Sequence, residues 1–148
     1  MTDKKPVKIM QSIQAELKAP KGQTNKFGGY SYRSAEDILE AVKPLLNKYD
    51  CFLTVSDEIV EVGGRVYVKS TASLQESHRD TVAEVSAFAR EAETKKGMYE
   101  AQITGSASSY ARKYALNGLF AIDDTKDPDA TNKHGKDSPK PVNKTVEF

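Results

Sequence analysis

The spacing of apolar residues predicts two helices in the first third of the chain. In Pro6–Ala19, apolar residues recur every three or four positions, and Pro20 ends the pattern. A second helical pattern begins at Ser34, where an acidic residue three positions later, Asp37, completes a sequence typical of a capping box. This pattern continues through Pro44, where a proline is expected to kink a helix.

Three strand-like runs follow the helices: Cys51–Val62, Arg65–Leu74 and Thr81–Arg90. The Gly63-Gly64 pair between the first two runs is typical of a two-residue hairpin turn. The third run alternates small apolar residues with other residues, and we expect a helix to lie against that small side of the sheet. The small side comprises Ala83, Val85, Ala87 and Ala89.

The stretch Gln102–Ile122 predicts a long helix, because its residues form stripes at helical spacing and no proline interrupts it. It also contains no acidic residue. We expect its apolar side to pack on the core, and this side comprises Ile103, Ala107, Tyr110 and Tyr114. A narrow stripe of small residues comprises Ala101, Ser108, Ala111 and Ala115. A polar stripe comprises Gln102, Ser106, Ser109 and Lys113, with Arg112 beside it. The fold class is therefore α+β, with a three-stranded antiparallel meander packed against a long helix and preceded by N-terminal helices.

The polar stripe of the long helix offers hydroxyls, an amide and adjacent cations, which are groups that bind phosphodiesters. The alternative is an ordinary helix face exposed to solvent. Solvent-exposed helix faces usually carry glutamate as well as lysine, and the absence of acids therefore favours a phosphate-binding face.

The segment Lys18–Ser34 combines glycines, lysines and aromatic residues in a long loop. Tyr30, Tyr32 and Arg33 lie in it, and cations interleaved with aromatic rings suit single-stranded nucleic acid, because cations contact phosphates while rings stack on bases. The alternative is a glycine-rich loop whose tyrosines pack beneath the next helix.

The connection Arg90–Glu100 supplies further candidate phosphate contacts in Arg90, Lys95 and Lys96. Its glutamates dilute this positive charge, and charge runs of this kind are usually only solvated. Both interpretations stay open at this point.

Composition indicates one domain over residues 1–122, followed by a flexible charged tail over 123–148. The net charge is only +1, so a nucleic-acid site has to be a local patch. The single cysteine, Cys51, is predicted to be a small buried apolar residue in a reducing compartment. No apolar run is long enough for a membrane span, and the N-terminus lacks the apolar core of a signal peptide, which predicts a cytoplasmic protein without membrane contact.

The chain contains no nucleotide-binding glycine loop and no Cys/His metal spacing, so we expect neither a cofactor nor a metal site. The acidic residues around Asp123 and Asp124 leave a metal-dependent nuclease as an alternative. No calcium-loop spacing is present, and an acidic helix exit accounts for these residues more simply. The sequence therefore predicts a binding protein and not an enzyme.

Three segments resemble the ERF family of phage single-strand annealing proteins, whose name stands for essential recombination function. They are FGGYSYRSAEDILEAVKPLL, AREAETKKGMYEAQ and GSASSYARKYALNGLFAIDDTKD, and the resemblance covers most of Phe27–Asp129. It implies a β-β-β-α core and ATP-independent annealing of complementary strands in phage recombination, inside the bacterial host cytoplasm. It also implies homo-oligomeric rings or helical filaments, with a phage exonuclease or a host single-strand binding protein as a further partner.

The same resemblance implies roles for residues of the long helix and the loop. Arg112 and Lys113 would contact phosphates, with hydrogen bonds added by Gln102, Ser106 and Ser109. A second wall of the groove would come from Tyr30, Tyr32 and Arg33. The alternative function is a single-stranded DNA-binding protein that protects DNA without annealing it.

Overall fold

A computed structural model of the chain describes residues 6–25, 29–77, 81–94 and 97–122. Its elements, in chain order, are α1 Pro6–Glu16, β1 Gln23–Asn25, β2 Tyr30–Tyr32, α2 Ala35–Tyr49, β3 Cys51–Val62, β4 Arg65–Glu76, β5 Thr81–Arg90 and α3 Glu100–Phe120. The predicted contacts Lys95 and Lys96, the loop residue Phe27 and the whole tail with Asp123 and Asp124 lie outside the described residues.

The main sheet is an antiparallel meander in the order β3-β4-β5, and this confirms the predicted α+β class. The turn between β3 and β4 consists of Gly63 and Gly64, whose φ angles are 59° and 78°. Two successive residues with positive φ are the requirement of a type I′ hairpin turn, which explains the glycine pair. The short strands β1 and β2 form a separate two-stranded ribbon within the predicted long loop.

The helix boundaries follow the local sequence signals. Ser34 caps α2 by accepting a hydrogen bond from the Asp37 amide, and the Asp37 carboxylate accepts one from the Ser34 amide, which completes the predicted capping box. The first helix ends at Glu16, three residues before the predicted boundary at Ala19. Side-chain contacts hold this shorter helix in place, since the Gln14 amide donates to the Leu119 carbonyl over 2.9 Å.

The core forms where the helices cover one face of the sheet. Its largest fully buried side chains come from all three helices and from β4, and they include Ile13, Ile38, Leu74, Leu116 and Phe120. Burying each such side chain contributes roughly 1.5–3 kcal/mol to folding. Cys51 joins this core, so its predicted burial is confirmed, and burial raises the pKa of its thiol to about 11.

A second, smaller core lies toward the β3–β4 hairpin, where Val68, Ala107 and Ala111 pack together with Ala89. Residues of α1 and α2 belong only to the larger core. Within the described residues, the hairpin end of the sheet is therefore packed against α3 alone. At that end, neither flank of α3 is covered by α1 or α2.

Close packing of α3 on β5 confirms that the small side of this strand receives a helix. A carbon added at Gly118 would lie only 2.9 Å from Val85 Cγ1, so the helix approaches the strand too closely for a side chain at that point. None of the helices in the described part of the chain has the length and apolar character needed to cross a membrane.

Candidate nucleic-acid interface

The buried face of α3 differs from the predicted one. Its buried residues recur every fourth position and comprise Ile103, Ala107, Ala111, Ala115 and Leu119, with Leu116 and Phe120 added at the C-terminal end. Tyr110 and Tyr114 were predicted to pack on the core, but they are 53% and 44% exposed. The small alanines face the small side of β5 instead, because two small surfaces let helix and sheet approach closely, and the tyrosines are displaced to one flank.

The flank of α3 toward β3 is a closed polar cluster around Asp57. The Ser70 hydroxyl, from a fully buried residue, donates to Asp57 Oδ1, and the Ser108 hydroxyl donates to Oδ2, each over 2.5 Å. Arg112 Nε lies 3.5 Å from the same Oδ2, which makes an ion pair and not a tight hydrogen bond. Asp57 thus fastens the sheet to the helix across a separation of about fifty residues in sequence.

The Asp57 carboxylate stays ionised because its partners outweigh its burial. Burial alone would raise the pKa of Asp57, but the hydroxyls of Ser108 and Ser70 and the charge of Arg112 lower it below its ordinary value. The Arg112 charge is in turn partly neutralised. Arg112 was predicted to contact phosphate, and its placement beside a carboxylate makes it a weaker contact within a single copy than the sequence suggests.

The flank of α3 toward β5 is an open groove of about 440 Å³. Its aromatic and apolar lining includes Phe88 from β5 and Met98 before the helix, together with Tyr110 and Tyr114. The two tyrosine rings lie with centroids 6.1 Å apart and planes tilted by 32°, so they form one continuous aromatic surface. Two predicted contacts, Arg90 and Ser106, line the same groove.

The outward surface of α3 continues from this groove to the β1–β2 ribbon. Lys113 Nζ lies 5.3 Å from the centre of the Tyr32 ring, a cation–π distance that joins α3 to β2. Ser109 is exposed. One turn earlier in the helix lies Gly105, where a side-chain carbon would have no heavy atom within 4 Å. The helix backbone is therefore open to solvent at this point.

The remaining predicted contacts have local structural roles. The side-chain Oε1 of Gln102 accepts a hydrogen bond from the Tyr99 backbone amide over 2.9 Å at the start of α3. Arg33 Nε donates to the Ala19 backbone carbonyl over 2.6 Å. Arg33 thus ties the loop after α1 to the segment before α2. Tyr30 belongs to β2, but its side chain lies outside the described part of the structure.

The structure therefore brings Tyr32, Arg90, Ser106, Ser109 and Lys113 to one side of α3 and its β5 flank. Arg112 lies on the opposite flank of the same helix. Sequence reasoning missed Phe88, Met98 and the exposed position of the two tyrosines. Phe88 carried a signal, since it is the one large apolar residue that interrupts the polar side of the third strand.

No group of three or more His, Cys, Asp or Glu side chains that could hold a metal ion occurs in the described ranges. The groove instead combines flat rings, hydroxyls and a cation at its rim. In general, flat rings stack on exposed bases, and cations contact phosphates.

Comparison with known proteins shows the family of the chain. The profile of the ERF superfamily matches residues 7–147, so the chain belongs to the ERF superfamily. It is 54% identical over 136 residues to the protein named "Essential recombination function protein" from Salmonella phage P22. The matched region is 92% of this chain but only 64% of that relative, so the chain spans less than two thirds of the relative's length. No solved structure matches it significantly.

Proposed function

We propose that the chain binds single-stranded DNA and anneals complementary strands in phage homologous recombination, without ATP and without breaking bonds. The observation that carries the proposal is the groove between α3 and β5, where the rings of Tyr110 and Tyr114 are exposed above the edge strand that carries Arg90. Large apolar rings left on the surface of a small domain usually mark a binding site. Membership of the ERF superfamily and the printed name of the P22 relative support the recombination role.

The groove suits unpaired bases better than duplex DNA. Base stacking on aromatic rings requires free base faces, which paired bases do not offer outside the helix ends. Stacking is also tolerant of sequence, because every base has a flat face. Arg90 and Lys113 then contact the phosphates, and Ser106 and Ser109 supply neutral hydrogen bonds.

Annealing follows if the strand is held extended with its charge reduced. The repulsion between two DNA strands falls when cations replace the counterions of one of them, so a second strand approaches at lower cost. No covalent step is needed, and the described residues that line the groove provide stacking and hydrogen bonds suited to binding. In this proposal the protein acts with no cofactor, as an assembly of several copies.

The experiment measures binding and annealing with the same full-length protein. Fluorescence anisotropy with labelled oligonucleotides of unrelated sequence should give similar affinities that fall with added salt. Mixing two complementary strands should give faster pairing with protein than without it. Slower pairing would instead identify a protein that protects single strands, and the annealing proposal would be wrong.

The matched variants replace tyrosines inside and outside the groove. Tyr110→Ala with Tyr114→Ala should weaken binding at least tenfold, because alanine substitution of a stacking residue costs about 1–3 kcal/mol per base. Tyr99→Ala is the control, since Tyr99 is 81% exposed but does not line the groove. Equal affinities for the double variant and the control would remove the groove from the binding site.

A further inference from the structure

Both outer strands of the main sheet have an unpaired edge. In the described part of the chain β3 and β5 each pair only with β4, although β3 is 12 residues long and β5 is 10. Proteins usually protect long edge strands with lysine, proline or a bulge. Neither strand contains lysine or proline, and the register shift in the described pairing lies at Leu74/Gln75, far from the hairpin. These edges are therefore suited to pairing with another strand.

Two backbone hydrogen bonds show which groups point outward from these edges. The Glu91 amide donates to the Val66 carbonyl over 2.8 Å, and the Ser77 amide donates to the Asp50 carbonyl over 3.0 Å. Because backbone groups alternate in direction along a strand, the register then decides the outward-facing residues. Near the hairpin end of β5 they are Ser86, Phe88 and Arg90. Near the hairpin end of β3 they are Asp57, Ile59 and Glu61.

The outward-facing groups of β5 and β3 can pair when a second copy continues the sheet, without any shift of one strand along the other. The register places Glu58, Lys69 and Phe88 on one row across the sheet. If a second copy continues the sheet along its rows, Phe88 of one copy lies opposite Glu58 of the next. The outward amide and carbonyl of Phe88 then meet the outward groups of Asp57 and Ile59, which is the bonding pattern of a parallel ladder.

The side chains of the two edges are complementary as well. Ile59 is 57% exposed and lies on the helix-covered side of the sheet, in the same row as Ala89, which lines the groove. In the continued sheet, Ile59 of the next copy is placed beside Ala89 at the groove floor. The strand β3 carries three carboxylates and no cation, whereas β5 carries one carboxylate, Glu84, and ends in the exposed cation Arg90 near the hairpin.

We propose that copies of this chain assemble head to tail by pairing β5 of one copy with β3 of the next. The single-stranded DNA groove then has an aromatic wall from Tyr110 and Tyr114 of one copy and a polar wall carrying Arg112 from the next. The identification of single-stranded DNA as the ligand of this groove rests on the proposed function. A contact between two different edges repeats, and it gives a closed ring or a filament.

The geometry of a sheet keeps this groove open. Three strands at roughly 4.8 Å separate equivalent points of neighbouring α3 helices by about 14 Å. Directly packed helices approach to about 8–10 Å. The neighbouring helices therefore leave a channel between them, and Arg112, which faces away from its own groove, lines the channel of the adjacent copy.

The test uses two variants that each block one edge. Ile59→Pro blocks β3 and Ser86→Pro blocks β5, and both residues direct their amides away from β4, so no backbone hydrogen bond within the sheet is lost. Ser86→Pro also removes the hydrogen bond between the hydroxyls of Ser86 and Thr71. Sedimentation velocity should show wild-type assemblies larger than a dimer, monomers for each variant alone, and heterodimers in an equal mixture. The mixture forms one interface only, between the intact β5 of one variant and the intact β3 of the other.

Folding of the variants is checked by circular dichroism, and Ile59→Lys replaces Ile59→Pro if the proline variant is unfolded. The edge contact would be overturned if either variant alone formed dimers or larger assemblies. It would also be overturned if the mixture gave no heterodimers or if the wild type were monomeric. Anisotropy on the same samples should show at least tenfold weaker DNA binding by the monomeric variants, since avidity and the second wall are lost. Wild-type assemblies that ignore DNA would instead contradict the proposed function and leave the edge contact standing.

Discussion

Replacing Gly118 by alanine tests the close approach of α3 to β5, on which the position of the groove depends. The added methyl carbon would lie 2.9 Å from Val85 Cγ1, whereas carbon atoms in contact are usually about 3.5–4.0 Å apart. Either Val85 leaves its position or the helix moves away from the strand. Overpacking of this kind typically costs about 1–3 kcal/mol.

A second glycine of the same helix provides the matched control. Gly105 has nothing within 4 Å of an added carbon, so Gly105→Ala meets open space. There the substitution only replaces a poor helix former by the best one, which stabilises by about 0.5–1 kcal/mol. The same propensity gain applies at Gly118 but is offset by the clash. We therefore expect the free energies of unfolding of the two variants to differ by at least about 1 kcal/mol.

Urea denaturation at one fixed protein concentration measures both values. Gly105→Ala should be more stable than wild type, and Gly118→Ala should be equal to it or less stable. In a Val85→Ala background the cost at Gly118 should disappear, which is the signature of a direct contact. If both glycine variants were stabilised equally, α3 would not press on β5 as the structure shows, and the groove geometry would lose its basis.

Two further predictions concern the sheet–helix junction and the start of α2. The pKa of Asp57 is lowered in the folded state, so its stabilising contribution is present above the unfolded pKa of about 3.9 and is lost as pH falls through the lower folded value. Asp57→Asn should thus destabilise the protein at pH 7. In thermal unfolding, the difference in stability between wild type and Asp57→Asn should shrink below about pH 4. A stability difference that grew on acidification would contradict this. Ser34→Ala removes the capping box of α2 and should lower the free energy of unfolding by about 1 kcal/mol in urea, whereas an unchanged value would mean that the cap contributes nothing.

The fold was largely predictable because its signals are local. The glycine pair Gly63-Gly64 demands a hairpin, the Ser34 capping box starts a helix, and the small side of β5 requires a close neighbour. Each signal depends on residues within a few positions of one another. The short ribbon of β1 and β2 was not predicted, because three-residue strands carry too little periodicity to be distinguished from a loop.

The orientation of α3 was only partly predictable. Two neighbouring stripes of the helix are apolar or small, and spacing alone does not decide which of them faces the sheet. The choice depends on β5, whose alanines accept Ala111 and Ala115 more closely than they would accept tyrosine rings. That preference is a property of two surfaces distant in sequence.

The role of Arg112 was out of reach of sequence reasoning for the same reason. Its partner Asp57 lies in β3, and nothing near either residue in sequence indicates the other. From spacing alone the polar stripe of α3 is one surface, although the structure directs its two cations to different partners. Lys113 lies toward Tyr32, and Arg112 lies toward the open edge of β3.

The central claim, that single-stranded DNA lies in the groove between α3 and β5, is tested most directly by photo-crosslinking. The full-length protein is irradiated with an oligonucleotide containing 5-bromodeoxyuridine, and the crosslinked peptides are identified by mass spectrometry. Crosslinks should fall on Tyr110 and Tyr114, and they should disappear at high salt together with binding. Crosslinks confined to residues outside the groove, with these two tyrosines unmodified, would contradict the account.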